Sequence, residues 1–164
     1  MDKFIQLKEF YFFFVANISC MLTKACQYGI KSLIFISANS IEGQRVTVKE
    51  VADAIDSPPA FTSKILQQLV AAQIINSIKG SGGGFDISLS MIKKTKIIHI
   101  VKAIEGDNIA ASCFLGLSSC SDRNPCPVHH FYAPIRQQMN DTLLNVTLYD
   151  IVSNDIQHPY CLRV

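Results

Sequence analysis

The chain has 164 residues, room for one full-sized domain or a small domain with a helical arm, which excludes two large domains. Hydrophobic residues make up 49% and charged residues 17%, with 8 Gly and 6 Pro, so the chain can bury a core and is neither disordered nor of low complexity. The net charge of +2, from 15 Lys and Arg against 13 Asp and Glu, is too small to argue for nucleic acid or an anionic membrane as partner, so any such case must rest on where the charges lie.

Residues 10–22, FYFFFVANISCML, form an apolar run shorter than the roughly 20 residues a membrane-spanning helix requires, yet of signal-peptide size. Lys3 and Lys8 suit an export signal, whereas Asp2 and Glu9 oppose it. The chemistry of the rest of the chain, taken in order below, decides against export. The expectation is therefore a cytoplasmic protein with no membrane partner, a true start at Met21, and residues 1–20 as a non-native or disordered extension.

Apolar residues at near-helical spacing (Ala25, Tyr28, Ile30, Leu33, Ile34, Ile36) predict a first helix over 24–39. Thr47 followed by Glu50 is a capping box, in which each residue satisfies an exposed amide of the other at a helix start, here a short helix over 48–55. Ser57 is expected to cap a third helix with Pro58 and Pro59 in its first turn, where a missing amide proton costs nothing. Its predicted buried stripe is Phe61, Ile65, Leu66, Leu69 and Val70.

Two runs then alternate around a glycine turn: an apolar, β-branched stretch over 74–79, GSGGG, and Phe85, Ile87 and Leu89 spaced by polar residues. They predict a hairpin wing whose glycines bring backbone close to a phosphate. Thr95 is expected to cap a fourth helix over 96–105 that stops at Gly106. After a cysteine-rich stretch without periodicity, a long helix is expected over about 128–145, with Ile135, Met139, Leu143 and Val146 on one face and Pro134 kinking it or delaying its start. Thr147 and Asp150 restart a short helix. The fold class is mainly α with a small β-wing, a winged helix-turn-helix followed by a long C-terminal helix. The divisions are 21–106 for the winged domain, 107–127 for the loop, 128–154 for the last helices and 155–164 for a tail.

Between residues 60 and 102 there are six lysines (64, 79, 93, 94, 96, 102) and one acid, Asp86, more positive charge than the whole chain carries net. Concentrating cations on the third helix, the wing and the segment after it is the footprint of a duplex binder. On the third helix, Lys64 and Gln67 are candidates for base edges and Thr62 and Ser63 for phosphate, with Lys79, Ser81 and Gly82 at the wing.

Of six cysteines (20, 26, 113, 120, 126, 161), three form C-x6-C-x5-C and His129 and His130 follow directly. Three thiolates and an imidazole complete a four-ligand site, open to zinc or to an iron-sulfur cluster. The long, irregular spacing favours the cluster, because zinc sites usually show tight C-x2-C pairs. A disulfide framework is disfavoured in a reducing compartment. Catalysis is not expected, since there is neither a C-x2-C redox pair nor an acid-base partner. Cys20, Cys26 and Cys161 are expected to be unliganded, and His99 structural or solvated.

From Met21 to about Val152 the chain resembles the Rrf2 family of bacterial winged-helix regulators, of the IscR and NsrR type: MLTKACQYGI resembles its opening helix, SIKGSGGGF its wing, and the three cysteines its cluster loop. The resemblance implies a homodimer joined through the long C-terminal helix and bound to a partly palindromic double-stranded DNA operator. It also implies an iron-sulfur cluster, 2Fe-2S ahead of 4Fe-4S, held by Cys113, Cys120, Cys126 and His129. That cluster would control operator affinity in response to iron-sulfur status, redox conditions or nitric oxide. Gln27 stands where one branch has a ligating Asp, and Cys26 beside it is an alternative ligand to the other subunit's cluster. A zinc-stabilised or bare-thiol redox-responsive regulator without a cluster is the alternative function.

Overall fold

The computed structural model describes residues 22–106, 114, 115, 117, 121–155 and 162. The expectations for residues 1–20, Cys113 and Cys120 lie outside them. Helix α1 (Lys24–Ile41) starts at Thr23, whose side chain accepts from the Cys26 amide. Helix α2 (Val48–Ile55) carries the expected Thr47–Glu50 capping box, with the Glu50 carboxylate 2.7 Å from the Thr47 amide. Left-handed Asp56 ends it and turns the chain into α3 (Pro59–Ala71).

The start of α3 differs from the sequence reading. Ser57 does not cap it; Pro58 stands at the N-cap and makes no side-chain hydrogen bond. The buried line is Thr62, Ile65, Leu66 and Leu69, and Phe61 is displaced to an exposed edge. Strands β1 (Asn76–Ile78) and β2 (Gly84–Asp86) pair antiparallel, with Ser77 opposite Phe85. Val46 adds a third rung, its amide and carbonyl both bonded to Phe85 at 3.1 and 2.8 Å.

Leu89 was expected to extend the second strand, but it opens helix α4 (Leu89–Lys94), capped by Ser88 accepting from the Met91 amide. Thr95 is then the C-cap of α4 rather than the start of α5 (Ile97–Glu105). Lys96 stands at the N-cap of α5, its amide donating to His99 Nδ1 at 3.2 Å, which gives His99 a structural role. Helices α6 (His129–Asn145) and α7 (Leu148–Asp155) are the last two described; α6 starts five residues before Pro134, so the proline does not delay it, and the Thr147–Asp150 pair stands at the start of α7 as expected.

One apolar core joins Leu33 and Ile36 of α1, Val51 and Ile55 of α2, Ile65, Leu66 and Leu69 of α3, Ile100 of α5 and Leu148 of α7. Gly29 lets α5 approach α1 closely, because a Cβ there would collide with the Ile104 side chain. A second cluster seats Leu143 and Met139 of α6 on Cys26, Ile98 and Val101. The turn between α6 and α7 is stitched to the turn between α4 and α5: the Ile97 amide donates to the Val146 carbonyl at 3.1 Å and the Leu148 amide to the Thr95 carbonyl at 2.7 Å. Among the described residues no helix is long and apolar enough to cross a membrane.

Candidate nucleic-acid interface and cysteine loop

Because α3 buries residues at i, i+3, i+4 and i+7 from Thr62, the opposite stripe is left to water. Lys64 and Gln67 lie on that exposed stripe, and Ser63 is half-buried beside it. Thr62 does not: it is 0% exposed, and its hydroxyl lies 3.0 Å from Ser57 Oγ and 3.2 Å from the Pro58 carbonyl oxygen. The phosphate role expected for Thr62 is therefore corrected. Its job is to tie the turn to the recognition helix from inside.

The wing presents Lys79, Ser81 and Gly82 to solvent. Gly80 and Gly82 take φ of +98° and +75°, conformations that L side chains rarely adopt. Gly84 lies so close to the segment before α2 that a Cβ would sit 2.8 Å from the Val46 carbonyl oxygen. Asp86, the one acid of this basic region, accepts from Arg45 Nε at 2.7 Å and from Asn76 Nδ2 at 2.8 Å. The Asn76 hydrogen bond and the Arg45 guanidinium hold its carboxyl below the usual carboxylate range, against partial burial that pushes it up. Its charge is thus matched locally and does not oppose the lysines. Arg45 comes from outside the basic stretch, 41 residues away in sequence, and no local signal marks the pairing.

The described part of the cysteine loop leads directly into α6. Cys126 is a half-buried free thiol, and its carbonyl accepts from the His129 amide at 2.9 Å. The His129 ring is 3% exposed, with Nε2 2.7 Å from Asp122 Oδ1, while His130 points into solvent. Asp122, seven residues before His129, is a partner the sequence reading missed, and no local pattern announces the pairing. Among the described residues no group of three metal-ligating side chains converges.

Cys26 is fully buried, and burial, with the Glu105 carboxylate beside it, pushes its thiol up to about 12. It faces its own core cluster, which corrects the alternative in which it reaches another subunit's cluster. The same carboxylate accepts from the Thr23 amide at 3.1 Å and from the Thr23 hydroxyl, so α5 ends against the start of α1.

Residues 22–154 match the profile of Rrf2, described as an iron-dependent transcriptional regulator. The chain belongs to the Rrf2 family. It is similar to a helix-turn-helix-type transcriptional regulator of Aquifex aeolicus, 27% identical over 134 residues that cover 80% of this chain and 91% of that one. Among solved structures it is similar to CymR, the global cysteine regulator of B. subtilis, with a TM-score of 0.64 at 20% identity over 81% of this chain and 96% of that one. It is also similar to T. potens IscR, with a TM-score of 0.65 at 14% identity over 89% and 94% of the two chains. These likenesses show the winged-helix fold. This Rrf2 protein is accordingly a DNA-binding transcriptional regulator and not an enzyme.

Proposed function

We propose that this Rrf2 regulator binds a partly palindromic operator as a homodimer and that an iron-sulfur cluster in the 107–130 region sets its affinity. Lys64 and Gln67 of α3 enter the major groove, Ser63 donates to phosphate, and Lys79, Ser81 and Gly82 of the wing contact the backbone. The dimer joins through α6, where Phe131 and Ile135 are 78% and 53% exposed, an apolar face left uncovered within one protomer. This setting is cytoplasmic.

The donor set suits a cluster. Cys126 carries no disulfide, and a single turn joins it to a buried imidazole already oriented by a carboxylate, the arrangement that fixes a metal-ligating histidine. Cys113, Cys120, Cys126 and His129 would hold the group, 2Fe-2S in preference to 4Fe-4S, and it supplies a centre that oxidants, nitric oxide or iron shortage destroy. The family's description as iron-dependent supports the assignment.

The observation that carries this reading is the Cys126–His129 turn at the head of α6. The far end of α6 is hydrogen-bonded to the core that holds the recognition helix. Reordering the loop changes how α6 leaves the body, and hence the spacing of two recognition helices. A coupling of about 1 to 3 kcal/mol would shift operator affinity roughly 5- to 150-fold.

The test is anaerobic purification with iron and sulfide counts, visible absorption from thiolate-to-iron transitions, and DNA shift assays on cluster-loaded and cluster-free protein. Bound iron with sulfide and a difference of that size supports the proposal, and equal affinities overturn the switch. The Asp122–His129 pair favours a second reading, in which the imidazole serves only its carboxylate and bare thiols respond to oxidation. That reading requires metal-free protein whose DNA binding changes with oxidant. Zinc by elemental analysis, with unfolding on chelation, identifies a purely structural site.

A further inference from the structure

Helix α1 carries a basic-aromatic stripe beside the recognition helix: Tyr28 packs partly against the core, and the two lysines flanking it belong neither to the core nor to the α3 and wing surface. Lys24, Tyr28 and Lys31 stand at i, i+4 and i+7, one face of the helix. Lys24 is exposed, while Tyr28 and Lys31 are half-buried. Lys31 Nζ sits 6.0 Å from the centroid of the Tyr28 ring, and that ring meets Phe61 of α3 edge-on, with centroids 5.8 Å apart. Phe61 is 37% exposed and stands one turn before Lys64 on the same helix. The stripe is therefore continuous with the edge of the recognition helix.

Two features argue against a merely solvated face. Among the described residues neither Lys24 nor Lys31 has an ion-pair partner. Stacking on Tyr28 also draws Lys31 toward the α3 side.

We propose that Lys24, Tyr28 and Lys31 form a second backbone-binding stripe, which grips duplex DNA phosphates flanking the groove that α3 enters. The lysines act as point charges and the Tyr28 hydroxyl as a hydrogen-bond donor, with Phe61 setting the distance between the two helices. The stripe adds affinity without reading bases, so it acts alike on operator and unrelated duplex. The inference rests on α3 being the helix that enters the groove.

The experiment measures Kd for operator and random duplex across a salt series, using wild type, Lys31→Ala, Lys24→Ala, Lys31→Arg and Tyr28→Phe, with thermal melts to confirm folding. Each Lys→Ala change should lower the slope of log Kd against log salt by about one unit per bound subunit and weaken both duplexes equally. Lys31→Arg should keep the wild-type slope. Tyr28→Phe should weaken binding several-fold with the slope unchanged. Wild-type Kd and slope in folded Lys31→Ala and Lys24→Ala would overturn the proposal. A Lys64→Ala control that loses neither affinity nor slope would instead show that α3 is not the groove helix.

Discussion

Thr62 is buried near the start of α3, its hydroxyl donating to Ser57 Oγ and to the Pro58 carbonyl. Its neighbour Phe61 is far more apolar, and a stripe built on hydrophobicity alone places Phe61 inside. The packing obeys helix geometry instead: 62, 65, 66 and 69 share one face, and a buried Thr is acceptable there because Ser57 and the Pro58 carbonyl satisfy its hydroxyl. The pattern was in the sequence, but the acceptor that permits it belongs to the turn before the helix. Thr62→Val should destabilise the protein by about 1 kcal/mol, because it leaves Ser57 Oγ without its donor. The folded fraction should bind DNA as before, and Lys64→Ala should do the reverse. Urea unfolding and DNA titration on the two variants check the separation, and a loss of affinity in stable Thr62→Val would return Thr62 to the interface.

At the level of elements, legibility followed the range of the interaction that fixes each one. Helix α2 was readable to the residue because its capping box is closed within four positions. The hairpin was readable from its glycines, but its second strand stops at Asp86, and Ser88 caps a helix that alternation of Phe85, Ile87 and Leu89 had hidden. A three-residue alternation fits a strand and a strand-to-helix junction equally well, and only the capping hydrogen bond distinguishes them. The Arg45–Asp86–Asn76 cluster binds the segment before α2 to both wing strands, and no local pattern announces it. Since the Asp86 carboxyl is held low in the folded protein, its stabilisation is present above the ordinary carboxylate value of 3.8 and is lost as pH falls through the folded value. Asp86→Asn should therefore be less stable than wild type by about 1 kcal/mol at neutral pH, with the gap closing at acid pH. Melting curves from neutral to acid pH test the sign: a gap that widens on acidification would contradict the assignment.

On the scale of the whole molecule, the sequence divides into a winged body, a loop and terminal helices, yet packing does not respect that division. Leu148 is 0% exposed and belongs to the same core as Leu66 and Leu69 of the recognition helix, although the order of elements gives no reason to expect the last helix there. Helices α5 and α7 are also tied by reciprocal backbone hydrogen bonds around Lys96 and Thr147. The axis of α6 is consequently fixed at its end by the body that reads DNA, which a helix on a loose tether would not be. Leu148→Ala should remove about 2 to 5 kcal/mol of stability through the cavity it opens. The loss should appear in one cooperative transition, with far-ultraviolet circular dichroism and tyrosine fluorescence at the same urea midpoint. Tyr28 against α3 and Tyr149 against Lys93 of α4 place reporters in the first and the last described helix. If the fluorescence and helicity midpoints separate, or if Leu148→Ala leaves the midpoint unmoved, then α7 is an appendage, and a signal in the cysteine loop has no rigid route to the recognition helix.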